Sequence, residues 1–230
     1  MSAADNSSER ATIGVLGGTG AEGGALALRW ANAGYPVVIG SRNPDKAAQA
    51  SAKINAQLGR DAVRADSYRG AAEAASIVVL TVPYAAQRST VEEVRDALTG
   101  KILIDTTVPL IPPKVARVQL PEGGSAVAAI QKLLGESVKV ISAFQNVSAH
   151  RLQDLTQQVD CDVLVCGDDI PSREIVIELA TAIGLRALHA GPIVNSAAAE
   201  ALTSILIAIN SRYKVDGAGI RITRLDDAKQ

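Results

Sequence analysis

Thr12-Ile13-Gly14-Val15-Leu16-Gly17-Gly18-Thr19-Gly20-Ala21-Glu22-Gly23 is the stretch that decides the fold of this 230-residue chain. Its first half, Thr12 to Gly17, is an apolar run of the kind found in strands buried on both faces of a parallel sheet. The second half is a glycine-rich turn. Gly18 permits a tight turn, Gly20 puts no side chain between backbone and a bound pyrophosphate, and Gly23 lets the next helix pack closely on its strand. That helix, about Ala21 to Ala33 and stopped by Gly34, aims its unpaired amides and positive dipole end at the pyrophosphate. Thr19, Ala21 and Glu22 complete the phosphate-binding turn. The Glu22 carboxylate suits the helix dipole but would repel phosphate, so it is expected to point outward.

Tyr35 to Gly40 reads as the second strand. It ends about 20 residues past the central glycine, where NAD-binding folds carry an acidic residue for the ribose 2′-hydroxyl. Ser41 and Arg42 occupy that place instead. A hydroxyl and a guanidinium suit a 2′-phosphate by hydrogen bonding and charge pairing, and Lys46, one helical turn on, adds charge. The cofactor expected is therefore NADP.

Alternation of strand and helix continues along the chain. Asp45 to Leu58 reads as helix, Val63 to Ala65 as strand, Ser67 to Ala75 as helix, and Ser76 to Val82 as strand, closing on Pro83. Ligands in open α/β sheets collect beyond such carboxyl ends, which brings Val82 and Pro83 to the cofactor. A helix from Tyr84 through Leu98 and a strand from Lys101 to Asp105 follow. Leu110 to Gly124, rich in proline and glycine, is expected to be a long loop over the cofactor face. Later elements are a helix from Ser125 to Leu134, strands at Val138 to Ala143 and Cys161 to Cys166, a helix from Ser172 to Ile183, a strand from Arg186 to His189, and a final helix from Ser196 to Arg212. The fold class that results is α/β: a Rossmann-type, doubly wound, mostly parallel sheet. Residues 11–150 form the NADP-binding domain, residues 151–225 a small α/β extension carrying the apolar helix, and residues 1–10 a disordered N-terminus.

Composition narrows the function. A formal net charge of −1 with 20% charged residues lacks the basic surplus that drives nucleic-acid binding. No uninterrupted apolar run reaches the ~18 residues of a membrane span, so the expected location is cytoplasmic. The chain's two cysteines, Cys161 and Cys166, lack the spacing and companions of a zinc site. Asp168-Asp169 reads as a turn and helix cap rather than a metal pair, and Asn195-Ser196 as the cap of the last helix. His150 and His189 are expected to have surface or core roles. The last helix is apolar on nearly every face around Ala201 to Ile209, and the pattern predicts a homodimer through Ser196 to Arg212.

In this order, Leu16-Gly17-Gly18-Thr19-Gly20, Gly40-Ser41-Arg42, Leu80-Thr81-Val82-Pro83, Val165-Cys166-Gly167-Asp168-Asp169 and Ala190-Gly191-Pro192-Ile193-Val194-Asn195-Ser196 resemble the NADPH-dependent reductases of coenzyme F420, a deazaflavin. The resemblance spans roughly Ala11 to Leu225. It implies hydride transfer between NADP and the deazaflavin ring, with positioning as the protein's main contribution. It also implies that Thr19, Ser41 and Arg42 hold the 2′-phosphate region, with Val82 and Pro83 beside the ribose and nicotinamide. Between Ser142 and Ala149 the chain departs from that family, with Gln145 and Ser148 where a histidine and a proline are usual. Just past a strand end, Gln145 and Asn146 carry amides suited to positioning a hydride acceptor. Three alternatives stay open on the residues: a flavin as acceptor, a small carbonyl or imine oriented by Gln145, Asn146 or Tyr84, and a non-catalytic NADP sensor.

Overall fold

The computed structural model describes residues 10–225, so the disordered segment expected at 1–10 lies, save for Arg10, outside the described residues. Six short strands form the main sheet: β1 (Ile13–Leu16), β2 (Val37–Gly40), β3 (Val63–Asp66), β4 (Ile77–Leu80), β5 (Ile102–Asp105) and β6 (Lys139–Ser142). Their order is β3-β2-β1-β4-β5-β6, and every pairing is parallel. The order reverses at β1, so a crevice opens between the carboxyl ends of β1 and β4, where doubly wound sheets bind dinucleotides.

Both faces of the sheet are covered, because alternate residues of each strand feed different apolar clusters. Ile13, Val15, Val37, Ile39, Ile77, Val79, Ile104 and Ile141 face one way. They pack against α1 (Ala21–Asn32), α2 (Pro44–Leu58) and α8 (Ile170–Ala182). Leu16, Val38, Val78, Leu80, Leu103 and Val140 face the other way. Opposite them lie α3 (Tyr68–Ala74), α4 (Tyr84–Glu93), α5 (Arg95–Leu98) and α6 (Ala126–Leu134). The helix expected over Tyr84 to Leu98 is thus two helices that meet at Val94.

A second, two-stranded parallel sheet, β7 (Asp162–Val165) and β8 (Arg186–His189), follows a short helix α7 (Ala149–Gln153) that periodicity did not reveal. Ser142 and Cys166 exchange backbone hydrogen bonds of 2.8 and 3.0 Å, which joins β7 to the edge of the main sheet in antiparallel sense. The core runs across this junction: Trp30 of α1 meets Phe144 edge-on at 5.8 Å between ring centroids and donates from Nε1 to the Leu179 carbonyl at 3.1 Å. Arg29, almost fully buried, reaches the carbonyls of Leu152, Ile183, Arg151, Asp154 and Gln157 at 2.7 to 3.3 Å.

The chain ends in α9 (Ser196–Tyr213). By length and composition alone, Ile193 to Tyr213 is apolar enough to cross a membrane. Polar residues interrupt it, however, and one of them, the buried Glu200, is spent inside the protein. Its Oε1 accepts from Ser125 Oγ at 2.6 Å and from Val127 N at 3.2 Å, and its Oε2 accepts from Ala126 N at 2.8 Å. A carboxylate from α9 therefore caps α6, and burial pushes the Glu200 carboxyl up while these donors hold it down.

Candidate functional site

Local backbone demands explain most of the glycines. Gly17, not Gly18, takes the left-handed conformation of the turn, with φ of 90°. Gly18 is needed for a different reason: a Cβ there would come within 3.0 Å of the Ile39 side chain. At Gly23 a Cβ would lie 2.3 Å from Thr81 Oγ1 and 2.8 Å from the Gly17 carbonyl, so the close helix-to-strand packing is real and is made against the residue after β4. Gly20 caps α1 without any side-chain hydrogen bond, which leaves the first-turn amides open to a ligand. Thr19, Gly20 and Ala21 are exposed, and with Gly18 they border a cleft of about 310 Å³ whose far wall includes Lys53 and Gln57 of α2.

At the end of β2, Ser41 is buried and its Oγ accepts from Asn43 N at 3.1 Å, while its amide bonds the Asp66 carbonyl at 3.1 Å. The turn is thereby fixed. Asn43 caps α2 by accepting from Lys46 N at 2.9 Å, which sets Lys46 one turn into the helix. Arg42 and Lys46 are exposed, and neither forms an ion pair among the described residues. Val82 is buried at the crevice and the exposed Pro83 caps α4. An uncapped helix start, a glycine turn and two uncommitted cations are what a phosphorylated dinucleotide requires, so these residues fit NADP.

Glu22 corrects the sequence expectation. Instead of pointing outward it is partly buried, in the neighbourhood of Thr106 and Asp105. Asp105 is fully buried: its Oδ2 accepts from Gln87 Nε2 at 2.7 Å and its Oδ1 from Thr107 N at 2.9 Å. Burial pushes Glu22 up to about 8, with the nearby Asp105 charge adding to the shift and Thr106 opposing it. Burial likewise pushes Asp105 up to about 6, with Thr107 and Gln87 opposing and Glu200 adding.

Gln145 joins the same group. Its Nε2 donates to the Asp105 carbonyl and to Ser142 Oγ, both at 2.8 Å, and its own carbonyl accepts from Thr203 Oγ1 at 2.7 Å. Asn146 turns away toward β7, donating to the Asp162 carbonyl at 2.7 Å. Phe144, just before them, holds a φ of 73°, a strained value for a bulky residue that its packing on Trp30 maintains. The side-chain oxygens Gln145 Oε1 and Asn146 Oδ1 are buried and have no partner.

Other candidates have structural duties. Asp169 caps α8 by accepting from Ser172 N at 3.0 Å, so that helix begins at Ile170 rather than near Ser172; Asp168 accepts from Ile193 N at 2.9 Å. Asn195 stands at the N-cap position of α9 but makes no side-chain cap bond there; its amide donates instead to the Ala190 carbonyl at 2.7 Å. His150 and His189 are exposed, and Cys161 and Cys166 are buried free thiols. Asp105, Thr106, Gln87 and Glu200 escaped the sequence reading. Two of them left a trace: Asp105 is the carboxylate that closes an apolar strand, and Glu200 is the lone acidic residue within an apolar helix.

Comparison with known proteins agrees with this geometry. Residues 12–109 match the family model described as NADP oxidoreductase coenzyme F420-dependent. The F420-dependent NADP reductase of Methanocaldococcus jannaschii is 42% identical over 222 residues, covering 93% of this chain and 99% of that protein. Its counterpart in Methanothermobacter thermautotrophicus is 41% identical over 222 residues, covering 94% and 96%. Among solved structures, a candidate F420-dependent NADP reductase from Arthrobacter sp. FB24 superposes with a TM-score of 0.77 at 26% identity, covering 92% of this chain and 99% of that one. With the glycine turn, the basic pair after β2 and full-length similarity all in place, the chain belongs to the family of F420-dependent NADP reductases.

Proposed function

We propose that this protein transfers a hydride between NADP(H) and coenzyme F420, both being substrates that bind and leave in each turnover. The observation that carries the NADP half is the end of β2, where Ser41 and Arg42 stand in place of a carboxylate and the guanidinium is uncommitted. Family membership carries the deazaflavin half. Gly18, Thr19, Gly20, Ala21 and Gly23 present the α1 amides to the pyrophosphate, Ser41, Arg42 and Lys46 receive the 2′-phosphate, and Val82 and Pro83 border the ribose and nicotinamide. Residues 11–150 carry the dinucleotide in this reading. Of the two amides expected to position the acceptor, Gln145 does so through its uncommitted side-chain oxygen, while Asn146 is engaged at β7. The nicotinamide supplies the hydride; the chain binds, orients and excludes water.

Anaerobic mixing of the protein with NADPH and oxidised F420 tests the reading, with a riboflavin-type flavin run in parallel. Rapid bleaching of the deazaflavin absorbance is the expected result, and NADPH binding without bleaching would refute the acceptor assignment. Arg42→Ala is expected to weaken NADPH by about 1.5–3 kcal/mol while leaving NADH nearly unchanged, since only NADPH offers the 2′-phosphate. Equal losses for both nucleotides, measured by titration, would remove Arg42 from that phosphate.

The same reading includes a cytoplasmic homodimer built on α9. Ile205, Ile209 and Tyr213 recur at helical spacing on α9 and are 47%, 37% and 71% exposed, an apolar stripe that a partner subunit would cover. Sedimentation should give a dimer at micromolar concentration and a monomer for Ile205→Glu. A monomeric wild-type chain would refute the dimer.

A further inference from the structure

The turn after β6, Phe144 to Val147, is closed by a hydrogen bond from Val147 N to the Phe144 carbonyl at 3.0 Å, and three other elements hold it. Phe144 packs edge-on against Trp30 of α1. Asn146 donates from Nδ2 to the Asp162 carbonyl at the start of β7. Between them, the Gln145 carbonyl accepts from Thr203 Oγ1 of α9 at 2.7 Å. A φ of 73° at Phe144 needs such support, because a bulky residue leaves that region unless its surroundings over-determine it. The turn is built to hold one shape.

That shape fixes the Gln145 side chain. Its Nε2 donates to the Asp105 carbonyl and to Ser142 Oγ, each at 2.8 Å, so both amide N–H groups are spent. A flipped amide would set its oxygen against the Asp105 carbonyl, acceptor against acceptor, and the hydrogen-bond pattern therefore assigns the orientation. Oε1 is left buried and without a donor, in a residue only 4% exposed. An acceptor in that state, just past the carboxyl ends of β5 and β6, calls for an N–H donor from a ligand.

Thr203 reaches this turn from an unusual direction. A threonine inside a helix ordinarily bonds back to the carbonyl four residues earlier. For Thr203 that carbonyl, of Ala199, is 3.4 Å away, against 2.7 Å for the carbonyl of Gln145, so the hydroxyl proton is directed out of α9 to the turn. The same face of α9 sets its register. Ser196, Glu200 and Thr203 follow at i, i+4 and i+7, and Ser125 Oγ bonds both the Ser196 hydroxyl and the Glu200 carboxylate at 2.6 Å. By helical spacing this polar stripe lies opposite Ile205 and Ile209.

We propose that Thr203 is a positioning residue for the hydride acceptor: by holding the Gln145 backbone it keeps Gln145 Oε1 aligned to receive a ring N–H of that acceptor. The inference rests on the reading that Gln145 meets the acceptor, and it adds the chemistry by which the acceptor is recognised. The pyrimidine ring of a deazaflavin or a flavin offers an N–H between two carbonyls, whereas a simple ketone offers none. Thr203 acts only through Gln145.

Fluorescence titration of oxidised F420 into the NADP+-loaded protein, with steady-state kinetics beside it, tests the assignment. Thr203→Val keeps the size of the side chain and removes the donor. It should weaken F420 binding and raise the F420 KM about tenfold, the scale of one hydrogen bond, while kcat at saturation and the NADPH dissociation constant change less than about twofold. Thr203→Ser restores the hydroxyl and should bring F420 affinity back to within about threefold of the wild type. In Gln145→Ala the added Thr203→Val should cost less than about twofold more, because no side chain remains to be aligned. Wild-type F420 affinity in Thr203→Val, no rescue by Thr203→Ser, or equal losses for F420 and NADPH would overturn the proposal. Weakening by Gln145→Ala but not by Thr203→Val would fault Thr203 alone; no weakening by either would fault the reading of Gln145 as well. A wild-type protein that binds no F420 would remove both.

Discussion

Replacing Gly23 with alanine is expected to weaken NADPH binding about 100-fold, or about 2.7 kcal/mol, in a protein that still folds. The new Cβ would sit 2.3 Å from Thr81 Oγ1 and 2.8 Å from the Gly17 carbonyl. Thr81 cannot swing aside freely, because its hydroxyl donates to the Leu16 carbonyl at 2.9 Å, and the Gly17 carbonyl is backbone. The start of α1 must therefore shift off the sheet, carrying the first-turn amides away from the pyrophosphate. Adding Thr81→Ala relieves the shorter of the two contacts, so the double variant should regain part of the affinity in a double-mutant cycle. NADPH affinity at the wild-type level in Gly23→Ala alone would show that the packing of α1 does not set the phosphate site.

The second large effect concerns stability. Arg29→Met should cost about 4 kcal/mol, because it strips donors from five carbonyls around α7 and the end of α8 while leaving those carbonyls buried. For a chain of this size that corresponds to a fall in Tm of roughly 8–16 °C. Arg29→Lys should fall between, since one ammonium replaces a planar fork that serves several acceptors at once. A loss below about 1 kcal/mol in Arg29→Met would mean that water replaces the guanidinium and that the junction between the two sheets does not depend on it.

Much of the fold was legible because its signals are local. Ile13 to Leu16, Val37 to Gly40 and Ile77 to Leu80 are apolar runs bounded by turn residues, and all three are strands at or within two residues of the expected ends. Asn43-Pro44 and Ser67 begin helices where a capping side chain and a proline require it. Errors arose where a neighbour in space overrode the local pattern. The helix from Tyr84 breaks at Val94, which is fully buried between α4 and α5, and Asn195 spends its side chain on Ala190 instead of on α9.

The site divides along the same line. By itself the sequence determined the glycine turn and pointed to NADP, because Gly17 to Gly23 and Ser41-Arg42 carry backbone geometry and charge within a few consecutive residues. Only the tertiary structure decided where Glu22 points, that Asp105, Gln87 and Gln145 meet at one strand end, and that Glu200 caps a helix whose first residues lie about 75 positions earlier in the chain. The physical reason is that a polar side chain's direction, and the proton it carries once buried, depend on which donors and charges the packed chain brings against it, and those come from elements far apart in sequence.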